Sequence, residues 1–194
     1  MHHECTEERF LADIKSHEML VLQDDGLRRH LRFKRPTTST MYFDIVTWKG
    51  NLCYTGDMGT FVFTRIDDML EFFRGERINP QYWQEKCIAS ESSRNSGGVR
   101  EFNCDVFHES VREHIKDYWE LEVTPEDLQE ALDGEVFCHH DNGYAAYLAL
   151  SEFKHGEHTF ECCEMPTGEV FSYRFIWCCR ALVWAIQKYD EAKQ

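Results

Sequence analysis

The spacing of apolar residues changes once along this chain, near residue 67, and that change constrains the fold more than any other feature. Between residues 18 and 66, short segments of alternating or continuous apolar residues are separated by turn sequences. The turns are Asp24-Asp25-Gly26, Pro36-Thr37-Thr38-Ser39, Lys49-Gly50-Asn51 and Gly56-Asp57-Met58-Gly59. This pattern predicts an antiparallel meander of four or five strands, with a tight hairpin in which Gly50 adopts positive φ.

Helical spacing dominates the rest of the chain. Thr6 precedes an amphipathic segment and predicts a capped helix over about 6–16. After residue 67 the spacing predicts helices over about 69–74, 80–88, 105–121, from 124 onward, 144–153 and 174–189. The expected caps are Asp67 and Asn79, and residues 124–127 have the spacing of a capping box. The last helix is apolar almost all round, which is typical of the middle of a core.

Together these elements predict an α+β fold. We expect an antiparallel β-meander of four or five strands at about residues 18–66, packed by an N-terminal helix and a C-terminal set of helices. At 194 residues, the chain has the length of a single domain, sheet-rich over 18–66 and helix-rich over 67–190.

The charge is unevenly distributed. With 35 acidic and 21 basic residues, the formal net charge is −14. Residues 1–35 carry seven acids and seven bases, residues 36–100 carry eight and seven, and residues 101–194 carry twenty and seven, so the net charges are 0, −1 and −13. This excess argues against a protein that coats DNA or a membrane surface. Direct binding of nucleic acid is not expected through the acidic half.

The sharpest group of charges is a series of carboxylates on the predicted 105–121 helix. The carboxylates are Glu109, Glu113, Asp117 and Glu120. Their spacing of i, i+4, i+8 and i+11 places them on one face of the helix, and a step of four residues separates them by roughly 6 Å. The opposite face is expected to carry Phe107, Val111, Ile115 and Tyr118. The next helix repeats the pattern with Glu126, Glu130 and Asp133. Such a surface is typical either of a solvated helix face or of a face that binds the basic groove of a partner protein by imitating the charge of nucleic acid.

A basic run occupies residues 28–35. On a strand, His30, Arg32 and Lys34 project from one face about 6–7 Å apart. The run is either an edge strand kept unpaired by its charge or part of a cationic site. Such a site would bind a small ligand, for example a nucleotide signal, through residues from this run and two nearby aromatic residues. They are Arg28, His30, Arg32, Lys34, Tyr42 and Trp48.

Strong catalytic motifs are absent from the sequence. It contains no P-loop, dinucleotide-binding, zinc-protease or nucleophile-elbow motif, and its nine cysteines include no C-x-x-C pair. The remaining candidates for a metal site or a thiol-dependent enzyme are Cys138, His139, His158 and Cys162. Scattered thiols and surface imidazoles are the simpler interpretation, and no cofactor is expected.

The sequence also predicts a compartment. The first residues are acidic and lack the apolar segment of a secretory signal. The longest apolar run, residues 175–186, contains Arg180 and is shorter than the ~20 residues that span a bilayer. An odd number of cysteines without a disulfide pattern favours a reducing environment. We therefore expect a cytoplasmic protein with no membrane association, and the oligomeric state stays open.

Four stretches carry a family resemblance: residues 31–36, residues 42–44, Leu52-Cys53-Tyr54-Thr55-Gly56-Asp57-Met58-Gly59-Thr60, and Tyr173-Arg174-Phe175-Ile176-Trp177-Cys178-Cys179. In these stretches the chain resembles small hypothetical proteins encoded by phages and prophages of enteric bacteria. The resemblance covers most of the chain and supplies no catalytic residues. It implies a context, because accessory phage proteins of this size often act on host defence or host takeover.

Three functional hypotheses follow. The leading one is a non-enzymatic, phage-encoded inhibitor that binds a host protein through the acidic helical surface, with a defence or nucleic-acid-handling complex as its target, in the manner of anti-CRISPR or anti-restriction proteins. The second is a small-ligand binding protein that uses the basic strand 28–35. The third is a metal- or thiol-dependent enzyme at the Cys/His group.

Overall fold

The computed structural model describes residues 4–91, 98–160 and 165–194, and within them the chain forms an α+β fold. It divides into two compact units, one made of residues 1–99 and 171–194 and the other of residues 100–170. The prediction of a single domain stays a prediction. None of the helices in the described ranges has the length and hydrophobicity needed to cross a lipid bilayer.

The first unit contains a six-stranded antiparallel sheet in which every strand pairs with its neighbour in sequence, so the order is β1-β2-β3-β4-β5-β6. The strands are β1 (Glu18–Asp25), β2 (Arg28–Lys34), β3 (Phe43–Trp48), β4 (Asn51–Gly56), β5 (Gly59–Thr64) and β6 (Cys87–Ser90). Five of them lie in the region predicted as a meander, which confirms that prediction. Gly50 has a φ of 79° in the turn between β3 and β4, as expected.

The sixth strand corrects the prediction that a helix covers residues 80–88. The helix there is short, α3 (Pro80–Gln84), and it begins as predicted with Asn79 accepting a hydrogen bond from the Tyr82 backbone nitrogen at 3.2 Å. The chain then returns as β6 beside β5, with an irregular register between Val62 and Phe63. Four residues are too few to show an alternation, so the local pattern did not reveal this strand.

The other helices of this unit are α1 (Glu7–Ile14), α2 (Met69–Phe73) and α7 (Tyr173–Lys193). Thr6 caps α1 as predicted, whereas α2 is capped by Asp68 and not by Asp67. Helices α1, α2 and α3 each contact α7. Ten residues of α7 are buried, which confirms its place in the core.

One face of the sheet packs into this core. Along β2 to β5, the directly opposed residues Leu31, Ile45, Tyr54 and Phe61 are fully buried. Trp177 of α7 meets Phe43 edge to face, with ring centroids 5.6 Å apart. Alternate residues of each strand therefore point to the opposite face, which includes the side chains of Arg32 and Asp44.

The described residues of the second unit, 100–160 and 165–170, form three helices, α4 (Cys104–Tyr118), α5 (Glu126–Glu135) and α6 (Gly143–Glu152). Its short strands are β7 (Arg100–Phe102), β8 (Lys154–His155) and β9 (His158–Thr159), and β10 (Glu169–Phe171) pairs with β7. A separate hydrophobic cluster holds the helices together, with Val111 of α4, Leu132 of α5 and Leu150 of α6 all fully buried.

Candidate functional site

The net negative charge of the protein lies in the second unit. Residues 100–170 contain 18 acidic and 4 basic residues, a net charge of −14, whereas the first unit contains 17 of each and is neutral. The second unit, 71 residues long, therefore carries the entire net charge of the protein. No Lys or Arg occurs between Lys116 and Lys154.

Helix α4 presents part of the predicted acidic face. Asn103 caps the helix by accepting a hydrogen bond from the Val106 backbone nitrogen at 2.9 Å. Glu109, Glu113 and Asp117 are exposed, one helical turn apart. The side opposite is buried through Phe107, Val111 and Ile115, as predicted.

Two members of the predicted pattern lie elsewhere. Helix α4 ends at Tyr118, and Glu120 follows the C-cap residue Trp119 with a φ of 57°, so Glu120 is not part of the helical face. Tyr118 was expected on the buried side but is exposed, whereas Trp119 is buried. The helix stops one turn earlier than the spacing indicated, so Glu120 leaves the helical face. Tyr118 is the last residue of the helix, and its ring stacks on that of His114 with centroids 4.4 Å apart.

Helix α5 carries the second series of carboxylates. Glu126, Glu130 and Asp133 are exposed, and the Gln129 side-chain amide donates to an Asp133 carboxylate oxygen at 2.8 Å. The predicted capping box does not form, because the N-cap residue is Pro125 and no side chain caps the helix. The acidic face of α5 therefore exists without the predicted local cap.

A surface groove of about 620 Å³ runs along α4. Glu109 and Glu113 line it together with two of the four bases of the unit, Arg112 and Lys116. The Arg112 guanidinium lies 5.2 Å from the centre of the Phe137 ring, and the Lys116 ammonium lies 3.4 Å from a Glu122 carboxylate oxygen. Both bases have partners within the unit, so they only partly offset the negative charge of the groove.

His108 also lines this groove. Its ring lies 4.1 Å from that of Phe137 and 6.2 Å from that of His140. Burial lowers the pKa of His108, and the nearby charges of Arg112 and His140 lower it further. The groove therefore gains little positive charge from this histidine at neutral pH.

Helix α6 has an exposed apolar face that the sequence pattern did not predict. Tyr144, Tyr147 and Leu148 are exposed, although the helix buries Ala146 and Leu150 on its other side. Their spacing of i, i+3 and i+4 was visible in the sequence as a second apolar stripe opposite the first. Exposed tyrosines are typical anchors of protein interfaces.

The structure contradicts one of the two predictions made for the basic strand, its place at a sheet edge, and the ligand site stays a prediction. Strand β2 pairs with β1 on one side and β3 on the other, so it is not an edge strand. His30, Arg32 and Lys34 do share a face, as expected. However, Arg32 donates two hydrogen bonds of 2.7 Å to Asp44, and the His30 imidazole lies 3.0 Å from the same carboxylate.

Asp44 neutralises the charge of Arg32 on this strand. The residue is only 6% exposed. Burial alone would raise its pKa, but hydrogen bonds from Arg32 and His30 outweigh burial and hold the pKa below its ordinary value. Asp44 therefore stays a carboxylate and is the hydrogen-bond partner of both Arg32 and His30 within the sheet.

The other residues of the predicted ligand site are distributed along β2 and at the two ends of β3, and Tyr42 lies near enough to Arg32 to interact with its charge. Lys34 lies opposite Glu18, and Arg28 lies opposite Asp25, in the register of β1 and β2. Tyr42 precedes β3 and Trp48 ends it, which separates the two residues by about 20 Å at ~3.3 Å per residue.

The Cys/His group does not assemble within the described part of the chain, where no three His, Cys, Asp or Glu residues are placed to hold a metal ion. Cys138 is exposed, and the His139 backbone nitrogen donates to the Val136 carbonyl at 3.4 Å. His158 stacks on Trp119 with ring centroids 4.8 Å apart. Cys162 lies outside the described residues.

Comparisons of the chain with protein-family models, with curated proteins and with solved structures find no match. The resemblance to phage and prophage proteins thus stays a prediction. A functional proposal therefore depends on the charge of the second unit and the exposed faces of its helices.

Proposed function

We propose that this protein is a non-enzymatic, phage-encoded inhibitor that acts in the cytoplasm of a bacterial host. It binds a host protein of a defence or nucleic-acid-handling complex, of the kind that anti-CRISPR and anti-restriction proteins block. The observation that carries this proposal is the placement of the whole net charge of −14 in one unit of 71 residues.

The charge favours a basic partner. Successive carboxylates on α4 lie roughly 6 Å apart along the helix axis, which is of the same order as the ~3.4 Å per phosphate along one strand of DNA. A groove that evolved to bind DNA presents lysine and arginine side chains at comparable spacing. The acidic unit would occupy such a groove and exclude the nucleic acid.

Charge and apolar contact have separate roles in this proposal. The long-range field of the acidic unit speeds and orients the encounter. The exposed side chains of Tyr144, Tyr147 and Leu148 then supply the contact that slows dissociation, because buried aromatic residues dominate the affinity of most interfaces.

The experiment measures DNA cleavage by purified restriction enzymes and guide-loaded CRISPR effector complexes, with and without the protein, over a range of salt concentrations. We expect inhibition of at least one enzyme that weakens as salt rises, because salt screens charges. The variant Glu109→Lys plus Glu113→Lys is expected to lose inhibition.

A matched control is available in the neutral unit. Asp25→Lys plus Glu76→Lys makes the same change in net charge at exposed positions of the first unit and should inhibit like the wild type. Absence of inhibition and binding across the panel at low salt would contradict the proposal. Equal loss in the two double variants would contradict the assignment to the acidic unit.

A further inference from the structure

Strand β1 is an edge of the six-stranded sheet and exposes a continuous apolar segment. Its central residues Leu20, Val21 and Leu22 are 41%, 49% and 52% exposed. Edge strands normally avoid such segments, because unpaired backbone groups beside apolar side chains attract another strand. With eight residues, β1 is also the longest strand of the sheet.

We propose that β1 pairs with β1 of a second copy of this chain, antiparallel, about a two-fold axis at Leu20. The two sheets then join edge to edge into one continuous sheet. The proposal is independent of the acidic surface, since β1 lies in the other unit.

The face of each side chain fits this register. Met19 and Val21 lie opposite Phe33 and Leu31 and share the inward face of the sheet, whereas Leu20 lies opposite Arg32 and shares the outward face. An axis at Leu20 sets Met19 against Val21 of the second copy on one face, and Leu20 against its own equivalent on the other. Apolar residues therefore meet apolar residues at the three central positions, 19, 20 and 21.

Charge selects this register over its neighbour. An axis at Val21 would set Glu18 against Asp24 of the second copy, and directly opposed like charges destabilise a strand pair. An axis at Leu20 sets Glu18 against Leu22 instead. The register of β1 against β2 shifts between Val21 and Gln23. Asp24 and Asp25 lie beyond this shift, outside the segment 18–22 that pairs in the proposed dimer.

Charge also favours a second copy over a highly charged partner at this edge. The first unit contains 17 acidic and 17 basic residues, so the unit that carries β1 brings no net charge to the contact. Glu18 lies opposite Lys34 within each chain, which compensates its charge. A strongly basic or acidic partner would find no opposite charges to pair with along this apolar segment.

Hollows on both faces of β1 can receive the incoming side chains. On the inward face, Met19 lines a hollow of about 340 Å³ whose other lining residues are apolar (Leu11, Ile14 and Trp184) or basic (Lys15, His17 and Lys188). On the outward face, Leu20 lines a hollow of about 250 Å³ with Lys34 and Pro36. An added strand sends alternate side chains to the two faces, so Val21 of the second copy fits the first hollow and Leu20 the second.

The test is sedimentation of the full chain from micromolar to sub-millimolar concentration. We expect a reversible dimer, and we expect Leu20→Lys to raise its dissociation constant roughly tenfold or more, because two ammonium groups would face each other at the axis. The matched control is Ile88→Lys, which changes a 60% exposed residue on the opposite edge strand, β6. It should dimerise like the wild type.

A second variant keeps the test decisive if Leu20→Lys fails to fold. Opposed residues of an antiparallel pair have Cα atoms about 4.5–5.5 Å apart, which is within the range of a disulfide bond. Leu20→Cys should therefore form a covalent dimer with a mild oxidant, whereas the wild type with its native cysteines should not. A monomer at all concentrations, equal effects of the two lysine variants, or failure of Leu20→Cys to cross-link would each overturn the proposal.

Discussion

Arg32 and Asp44 face each other across β2 and β3 and form an ion pair of two hydrogen bonds, each 2.7 Å long. The pair lies on the face of the sheet that points away from α7, and His30 completes it with a third contact to the same carboxylate. A run of basic residues that suggested a ligand site is thus satisfied largely from within the sheet. Asp44 of the next strand is the partner of Arg32 and His30, whereas Arg29 of the same run pairs with Asp68.

The ion pair should stabilise the first unit. Arg32→Met keeps the length of the side chain but leaves the Asp44 carboxylate with only His30, so we expect a loss of about 2 kcal/mol in the free energy of unfolding. Asp44→Asn should also destabilise, and the double variant should lose less than the sum of the single losses. Urea denaturation measures all three. Arg28→Met, an exposed change on the same strand, should cost far less; additive losses would refute the coupling.

Stability should fall in acid. Asp44 and Asp68 have pKa values below the ordinary 3.8 in the folded protein, because hydrogen bonds from arginine outweigh the effect of burial. A lowered carboxyl pKa contributes stability above the unfolded pKa, and that stability is lost as the pH falls through the folded pKa. We expect the free energy of unfolding to drop steadily once the pH falls below about 4. In Asp44→Asn the same titration should show a shallower drop, and an unchanged slope would contradict this assignment.

The carboxylates of α4 should destabilise the second unit by mutual repulsion. Glu109 and Glu113 are one turn apart, so Glu109→Gln plus Glu113→Gln should raise the free energy of unfolding by a few tenths of a kcal/mol at low salt. Urea titrations with and without sodium chloride test this, since the gain should shrink as salt screens the repulsion. The same amide changes at Asp25 and Glu76 of the neutral unit provide the control. A gain independent of salt would exclude repulsion as its cause.

If the acidic unit binds a basic protein, charge and apolar contact should separate kinetically. Tyr144→Ala plus Tyr147→Ala should raise the dissociation rate from an inhibited enzyme tenfold or more, on the order of 1.4 kcal/mol, and leave the association rate nearly unchanged. Charge reversal at Glu109 and Glu113 should instead slow association. Surface plasmon resonance resolves the two rates. If the tyrosine variant changes only the association rate, the two tyrosines do not anchor the complex.

The cysteines should differ sharply in reactivity. Burial raises the pKa of Cys178 and Cys179 well above the ordinary value, so their thiolates are scarce in the folded protein. Cys138 is exposed. We expect iodoacetamide to alkylate Cys138 in the native protein, and Cys178 and Cys179 only after unfolding, as read by peptide mass spectrometry. Equal labelling in native conditions would show that the core around α7 opens readily.

Local pattern accounts for much of this fold. The alternation of apolar and polar residues predicted β2 to β5, and Thr6, Asn79 and Gly50 play the parts expected of them, because capping and turn chemistry depend on neighbouring residues. Strand β6 was missed because four residues carry no period. The end of α4 was placed one turn too far, since the acidic spacing continues into Glu120 beyond the helix.

The candidate surfaces differ in how well the residue pattern predicted them. The acidic residues of α4 and α5 were found from spacing alone, because a carboxylate on an amphipathic helix faces solvent wherever its apolar stripe is buried. The exposed face of α6 was not found, although its spacing is regular. Two apolar stripes on one helix look alike in sequence, and only packing decides which of them is covered.

The sequence by itself determined the periodic elements and the sign and location of the charge, because these are properties of residues close together in the chain. Only the tertiary structure decided that Asp44 neutralises Arg32, that β2 is an inner strand, and that Leu20 to Leu22 lie on an open edge. Those outcomes depend on which strand pairs with which and in what register. Register is fixed by contacts between residues far apart in sequence.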